Sequence, residues 1–160
     1  MSRPADAEHG LGPADDALIA ELEEQLTEFW RSGRERSRNR AHALDSRMDP
    51  SCYPLLMAVA RRGSAPMSDL VQHLSLDKST VTRQVDSLQR LGLVTRLPDP
   101  DDARARVVEL TDTGRRRIAA VFAEAVPRWR DRLAQWDPVD LRTLIDLMRR
   151  LDASLSGDAE

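Results

Sequence analysis

The residue types best suited to chemistry gather at Lys78, Ser79, Thr80, Thr82 and Arg83. Short hydroxyls and long cations at this spacing can hydrogen-bond base edges and phosphates, and an arginine reaches guanine or phosphate. The same residues have a plainer use. Ser and Thr beside a helix start are caps, and Arg83 can be a solvated charge. The cluster alone leaves both readings open. No catalytic or metal-ligating set competes with it. Cys52 is the single cysteine, which excludes an intrachain disulfide and a cysteine-held metal. His9, His42 and His73 are scattered and show no ligand spacing. There is no Gly-rich phosphate loop and no nucleophile motif. The chain is expected not to be an enzyme and to carry no cofactor.

The elements around the cluster follow from periodicity. Asp77 is a good N-cap for a helix over about 78–91, in which Val81, Val85, Leu88 and Leu91 share one face and Gly92 ends the run. A short helix precedes it, with Pro66 suited to its first turn and Leu70, Val71 and Leu74 facing inward. Another helix spans about Ser51 to Arg62, with Leu55, Leu56, Val59 and Ala60 inward and Gly63 as its stop. After Gly92 the period changes. Leu93–Leu97 is extended, Pro98–Asp102 is a Pro- and Asp-rich turn, and Arg106–Leu110 returns as a strand, giving a hairpin over about 93–110. Two short helices, a tight turn and a hairpin form a winged helix-turn-helix pattern. Its second helix is narrow enough for a major groove about 12 Å wide.

Longer helices flank this lobe. Asp15 to about Arg40 carries an apolar stripe of Leu18, Ile19, Leu22, Leu26, Phe29 and Trp30. It has acidic residues at its start and arginines at its end, an order that suits the helix dipole; Gly33 is a place to bend or fray. The arginines Arg31 to Arg40 read as a solvated helix end rather than a nucleic-acid patch, because no aromatics interleave them. Thr111 or Asp112 caps a helix running to about Ala134, with Pro127 inside it as an expected kink. A last helix from about Pro138 to Leu155 carries Leu141, Leu144, Ile145, Met148 and Leu151. The fold class is mainly α with a small β-hairpin wing. Residues 1–14 read as a loose tail and 15–46 as an N-terminal dimerisation helix. Residues 47–114 form the winged helix-turn-helix lobe and 115–156 the C-terminal dimerisation helices.

Length, composition and charge agree with a folded, soluble chain. It has 160 residues, 41% hydrophobic and 32% charged. No apolar run approaches the roughly 20 residues of a membrane helix. Met1 to Pro13 lacks the features of a signal peptide, so a cytoplasmic, nucleoid-associated location is expected. The net charge of −3 is unevenly spread, with Lys78 to Arg117 at +3 and the rest at −6. A local basic surface of this kind suits DNA despite the total.

The stretch LSLDKSTVTRQVDSLQRLGLVTRLPDPDDARARVVELTDTG, Leu74 to Gly114, resembles the MarR family of bacterial transcription regulators. The resemblance is strongest at Asp99-Pro100-Asp101-Asp102-Ala103-Arg104 and at Leu110-Thr111 with Gly114, and in pattern it extends over about 15–155. It implies that Arg104 enters the minor groove and that Asp102 pairs with it to shape the wing tip. It also implies that Ser79, Thr80, Thr82 and Arg83 sit on the recognition helix beside Lys78. Arg96 would contact phosphate or brace the wing, and Arg106 stands at the start of the returning strand. Ala103 departs from the second basic residue that many members carry there. The implied function is sequence-specific duplex-DNA binding as a homodimeric regulator on an inverted-repeat operator, in all expectation a repressor. An unidentified small-molecule effector is the one ligand left open. The competing reading is a winged-helix protein-interaction module that does not bind DNA. Cys52 reads as a small buried filler and not as a redox switch.

Overall fold

The computed structural model describes residues 13–99 and 105–156. Helix α1 (Pro13–Leu44) leads through a 3-10 turn (Pro50–Cys52) to α2 (Tyr53–Arg62). Strand β1 (Ser64–Pro66), α3 (Met67–Leu74) and α4 (Lys78–Arg90) follow. Strands β2 (Val94–Pro98) and β3 (Arg106–Leu110) form the hairpin, and α5 (Asp112–Leu133) and α6 (Pro138–Ser156) complete the chain. The fold is therefore mainly helical with a small antiparallel sheet, as the periodicity predicts.

The lobe from α2 to β3 closes around one core. Leu55, Leu56, Val59, Leu70, Val81, Val85, Leu88, Leu93, Val94 and Val108 are all buried in it. The last turn of α1 joins this core through Ala41 and Leu44. The hairpin is not alone: β1 pairs with β3 on the side away from β2, so the sheet has three strands in the order β1-β3-β2. Ala65 and Arg96 flank Val108 in register. Three residues ending in proline give no alternation to read, so the sequence does not disclose β1. Pro66 accordingly ends that strand and stands at the N-cap of α3 rather than in its first turn.

Three other expectations shift. Helix α1 starts at Pro13 and continues to Leu44, passing through Gly33. Its last turns hold because Ala41 and Leu44 gain tertiary burial there, which outweighs the weak propensity of one glycine. The expected second helix opens as the 3-10 turn, with the Asp49 side chain accepting from Ser51 N–H. Helix α5 continues through Pro127.

The base of the wing is locked to α5. The Thr111 side chain caps α5 by accepting from Gly114 N–H, while its hydroxyl donates to the carbonyl of Gly92. Thr111 N–H donates to Leu93 O at 3.0 Å. Gly114 packs so closely that a Cβ there would stand 2.1 Å from Leu93 O. This explains the glycine: the neighbour is backbone and cannot swing away.

A second junction fastens α1 to α5. The Asp45 carboxylate is only 6% exposed and accepts from Arg117 Nη1 at 2.6 Å. It also accepts from the Arg47 backbone N–H and guanidinium at 2.9–3.0 Å. Arg117 Nη1 additionally donates to Leu44 O, one of the carbonyls that the end of α1 leaves without a helical partner. The Arg47 hydrogen bonds, followed by that of Arg117, hold the Asp45 carboxyl well below the usual carboxylate range. Further along the same two helices, the Arg40 guanidinium lies over the Phe122 ring at 5.2 Å.

Two outcomes are expected. Gly114→Ala should destabilise the protein by about 2–3 kcal/mol, because the backbone at Leu93 must move to admit the methyl; denaturant unfolding measures it. Arg117→Ala should cost about 2 kcal/mol at neutral pH. Because the folded carboxyl titrates below the unfolded one, the Asp45 contribution is complete above the ordinary range near ~4 and is lost as pH falls below it. Asp45→Asn should therefore lower stability at neutral pH and flatten that acid loss; pH-dependent melts that parallel the parent's would contradict it.

Candidate nucleic-acid interface

Helix α4 presents its start on the surface because Asp77 organises it. Asp77 is extended, and its carboxylate accepts from Thr80 N–H at 2.9 Å. The hydroxyls of Ser79 and Thr80 also donate to it, at 2.5 and 2.6 Å. The Ser79 hydroxyl, then the Thr80 hydroxyl and the Thr80 backbone N–H, pull the Asp77 carboxyl below its ordinary value. Thus the capping role of Ser79 and Thr80, one of the two uses their types allow, is occupied in this structure. The Thr82 hydroxyl donates to Lys78 O at 2.7 Å, a bond to the preceding turn.

The cations remain outward. Lys78 and Arg83 are exposed, and Arg83 Nη2 donates to Thr80 Oγ1 at 3.2 Å. Lys78, Ser79, Thr82 and Arg83 together line one shallow, open depression. The buried face of the same helix is Val81, Val85 and Leu88, with Gln84 among them. Among the described residues, Gln84 Oε1 is buried with no hydrogen-bond partner. The apolar face therefore fixes the helix rotation, and rotation decides which side chains project.

Arg96 braces the wing. Its Nη1 donates to Asp86 Oδ1 and to Gln89 Oε1 at 3.3 Å, and its Nη2 donates to Thr82 O at 3.2 Å. Of the two uses for this arginine, the brace is the one realised. Asp86 and Gln89 are functional partners that sequence reasoning did not single out. Their three-residue spacing on α4 puts them on one side of the helix, but only the approach of β2 reveals why that matters. Arg106 is exposed at the start of β3 and donates to Ala105 O. Above it, Asp99 N–H donates to Ala105 O at 3.2 Å, the last rung before the wing tip. Asp102 and Arg104 lie outside the described residues. The structure thus brings Lys78, Ser79, Thr80, Thr82 and Arg83 together at one helix end, with Arg96 packed across the same helix.

Other side chains are placed as follows. Cys52 is buried, and burial, with Asp49 nearby, pushes its thiol up, so the reactive thiolate is disfavoured. Tyr53 is buried, whereas Phe29, Trp30 and His42 are exposed. Of the α1 arginines, Arg31 pairs with Glu28 and approaches Glu35, while Arg36 covers Phe29. Among the described residues, no group of three His, Cys, Asp or Glu could hold a metal, and no helix is long and apolar enough to cross a membrane.

Comparison with known proteins matches the geometry. A model of the MarR family matches residues 48–105, from just before the 3-10 turn to the start of β3. The chain is 33% identical over 103 residues to the HTH-type transcriptional regulator YdgJ of Bacillus subtilis, covering 64% of this chain and 63% of YdgJ. It is 31% identical over 108 residues to the regulator YhbI of the same organism, covering 68% of each. Its fold is similar to that of a mutant Escherichia coli MarR in complex with operator DNA, with a TM-score of 0.60, 22% identity and coverage of 80% and 91%. The lobe, the helical flanks and these matches agree, and the chain belongs to the MarR family.

Proposed function

We propose that this chain is a homodimeric transcriptional regulator that sets α4 in the major groove and the wing along the minor groove of an inverted-repeat operator. One observation carries the reading: the start of α4 is capped, exposed and cationic, and it stands beside a hairpin braced to it through Arg96. Lys78 and Arg83 are the reaching groups. The Ser79 and Thr80 hydroxyls can accept from the solvent side while they donate to Asp77. The relatives named above as transcriptional regulators support the same role. A dimer seated over an operator excludes other proteins from it, so repression is the expected output. The reading assigns the chain no catalysis, and it acts in the cytoplasm where the chromosome is.

The homodimer rests on apolar surface. Leu18 is 65% exposed, Trp129 59% and Val139 69%. Leu22, Phe29, Trp30, Leu144, Ile145, Met148 and Leu155 are exposed as well. These residues line α1, the second half of α5, and α6. Helix α6 makes no more than marginal contact with any other element among the described residues. So many exposed large apolar side chains on three helices are more than a monomer usually presents. A two-fold partner buries it twice and places two recognition helices about one helical turn of DNA apart.

Two tests follow. Arg104→Ala should weaken binding to every sequence, and Arg83→Ala should also relax preference at one base by roughly 1–3 kcal/mol. Fluorescence anisotropy across a salt series measures both. Parental binding should weaken steeply with salt, whereas salt-insensitive or absent binding favours the protein-docking reading. Replacing Leu144 and Leu151 with Glu should give monomers that no longer bind DNA, read by sedimentation. A parent that is monomeric at micromolar concentration yet binds DNA tightly would remove the dimer and the inverted repeat together.

A further inference from the structure

We infer that two hydroxyls at the start of α4 read bases only by accepting: Ser79 and Thr82 select the exocyclic amino groups of adenine or cytosine in the major groove and refuse guanine and thymine edges and phosphates. This rests on the placement of α4 in the major groove proposed above and goes beyond it by naming what two of its side chains recognise. A hydroxyl has one proton to donate and two lone pairs that accept. Where the proton is already taken, only the lone pairs remain for a ligand. The Ser79 hydroxyl donates to Asp77 Oδ1, and the Thr80 hydroxyl donates to Asp77 Oδ2 at 2.6 Å. The Thr82 hydroxyl donates to Lys78 O at 2.7 Å, one turn back. The direction of these bonds is fixed by their acceptors. A main-chain carbonyl has no proton to give. The Asp77 carboxyl, held below its ordinary range first by the Ser79 hydroxyl and then by Thr80, is ionised at neutral pH and only accepts.

All three protons are thus spent inside the protein, but the lone pairs are not equally available. Thr80 Oγ1 already accepts from Arg83 Nη2 at 3.2 Å. Ser79 Oγ and Thr82 Oγ1 accept no hydrogen bond among the described residues. Both line the shallow depression they share with Lys78 and Arg83. In the major groove the donors are the amino groups at adenine N6 and cytosine N4. Guanine N7 and O6, adenine N7 and thymine O4 accept, as do phosphate oxygens. Opposite an acceptor, a lone pair finds no proton while both groups give up water, which costs free energy. For Ser79, turning the hydroxyl over to donate outward would strip a bond from an ionised carboxylate, and charge-assisted bonds are the stronger kind. Lys78 and Arg83 have the opposite capacity, because ammonium and guanidinium only donate. The reading end therefore divides by polarity: the cations take phosphates and guanine, and the hydroxyls take amino groups. The hydroxyls add modest affinity and act mainly by what they exclude.

The test uses the full chain and a duplex that the parent selects from a random-sequence pool, with binding followed by fluorescence anisotropy. At each position in turn, adenine is replaced by purine, which lacks the N6 amino group, and cytosine by 2-pyrimidinone, which lacks the N4 amino group. The parent should lose about fivefold in affinity, or more, at one or two positions of each half-site. Which replacement is felt tells whether adenine or cytosine is read there. Ser79→Ala and Thr82→Val should each become indifferent to the replacement at one such position. Ser79→Thr and Thr82→Ser keep the hydroxyl and should keep the sensitivity. Asp77→Asn retains a good helix cap but offers one acceptor oxygen where the carboxylate has two, so it returns a proton to a hydroxyl. Its preference for the amino-bearing base should fall, although the lost negative charge tightens binding to every sequence. A parent that binds the duplex but feels no amino-group replacement overturns the proposal. So does a sensitivity that survives both Ser79→Ala and Thr82→Val, or variants that weaken all sequences alike, the mark of a phosphate contact. Should either of these variants misfold by circular dichroism, Asp77→Asn decides: an unchanged base preference overturns the proposal. A parent that binds no duplex overturns the placement of α4 on DNA itself, a different failure.

Discussion

The Asp45 carboxylate is the fastening on which the arrangement of the molecule depends. It sits just past the last turn of α1, where the chain leaves the long helix for the lobe, and it takes donors from both Arg47 and Arg117. Apolar burial of Ala41 and Leu44 brings α1 against the lobe but leaves its angle loosely determined, since apolar contact is non-directional. Four hydrogen bonds on one buried carboxylate are directional. Replacing such a cluster with well-packed apolar groups often costs little stability, so its use here is better understood as fixing geometry. The Arg117 bond to Leu44 O extends the same control to the helix end.

The recognition helix shows a comparable division of labour. Asp77 gathers the Ser79 and Thr80 hydroxyls and the Thr80 backbone N–H, which makes the first turn rigid. Groups held this way contribute less to reading a base, because their donors are already used. What projects past them is Lys78 and Arg83, long side chains that start from a fixed base. A chain of net charge −3 can meet a polyanion in this way, because the field that matters is that of the facing surface and not of the whole.

Much of this arrangement is legible in the sequence, for identifiable reasons. The start of α4 at Asp77, the inward trio Val81, Val85 and Leu88, strand Arg106–Leu110 and the Thr111 cap each carry a local signal of cap chemistry or period. Strand β1 carries none, because its existence depends on pairing with β3, more than forty residues away in sequence. The extension of α1 through Gly33 to Leu44 is equally non-local: its first half faces away from the lobe while its last turn is buried in it, so no single stripe runs its length. At the interface, residue types announce both uses of Ser79, Thr80 and Arg96. Choosing between them needs distances to Asp77, Asp86 and Gln89, and those depend on how β2 crosses α4.

The two close contacts near the start of α5 also say which parts must move together. Gly114 is pressed on the Leu93 carbonyl, and Thr111 bonds both Gly92 and Leu93, so the foot of the wing and the first turn of α5 form one body. Arg96 ties β2 to α4, which adds the recognition helix to that body. Arg117, one turn along α5, joins it to the end of α1. Among the described residues, a continuous chain of bonds thus links the reading surface to the long helices at this point. A shift of α5 must carry wing and recognition helix with it, since packed interiors transmit displacement rather than absorb it. In a dimer, a change at the seam of the long helices would therefore alter the separation of the two reading helices directly, and that separation is the quantity an inverted repeat of fixed spacing measures.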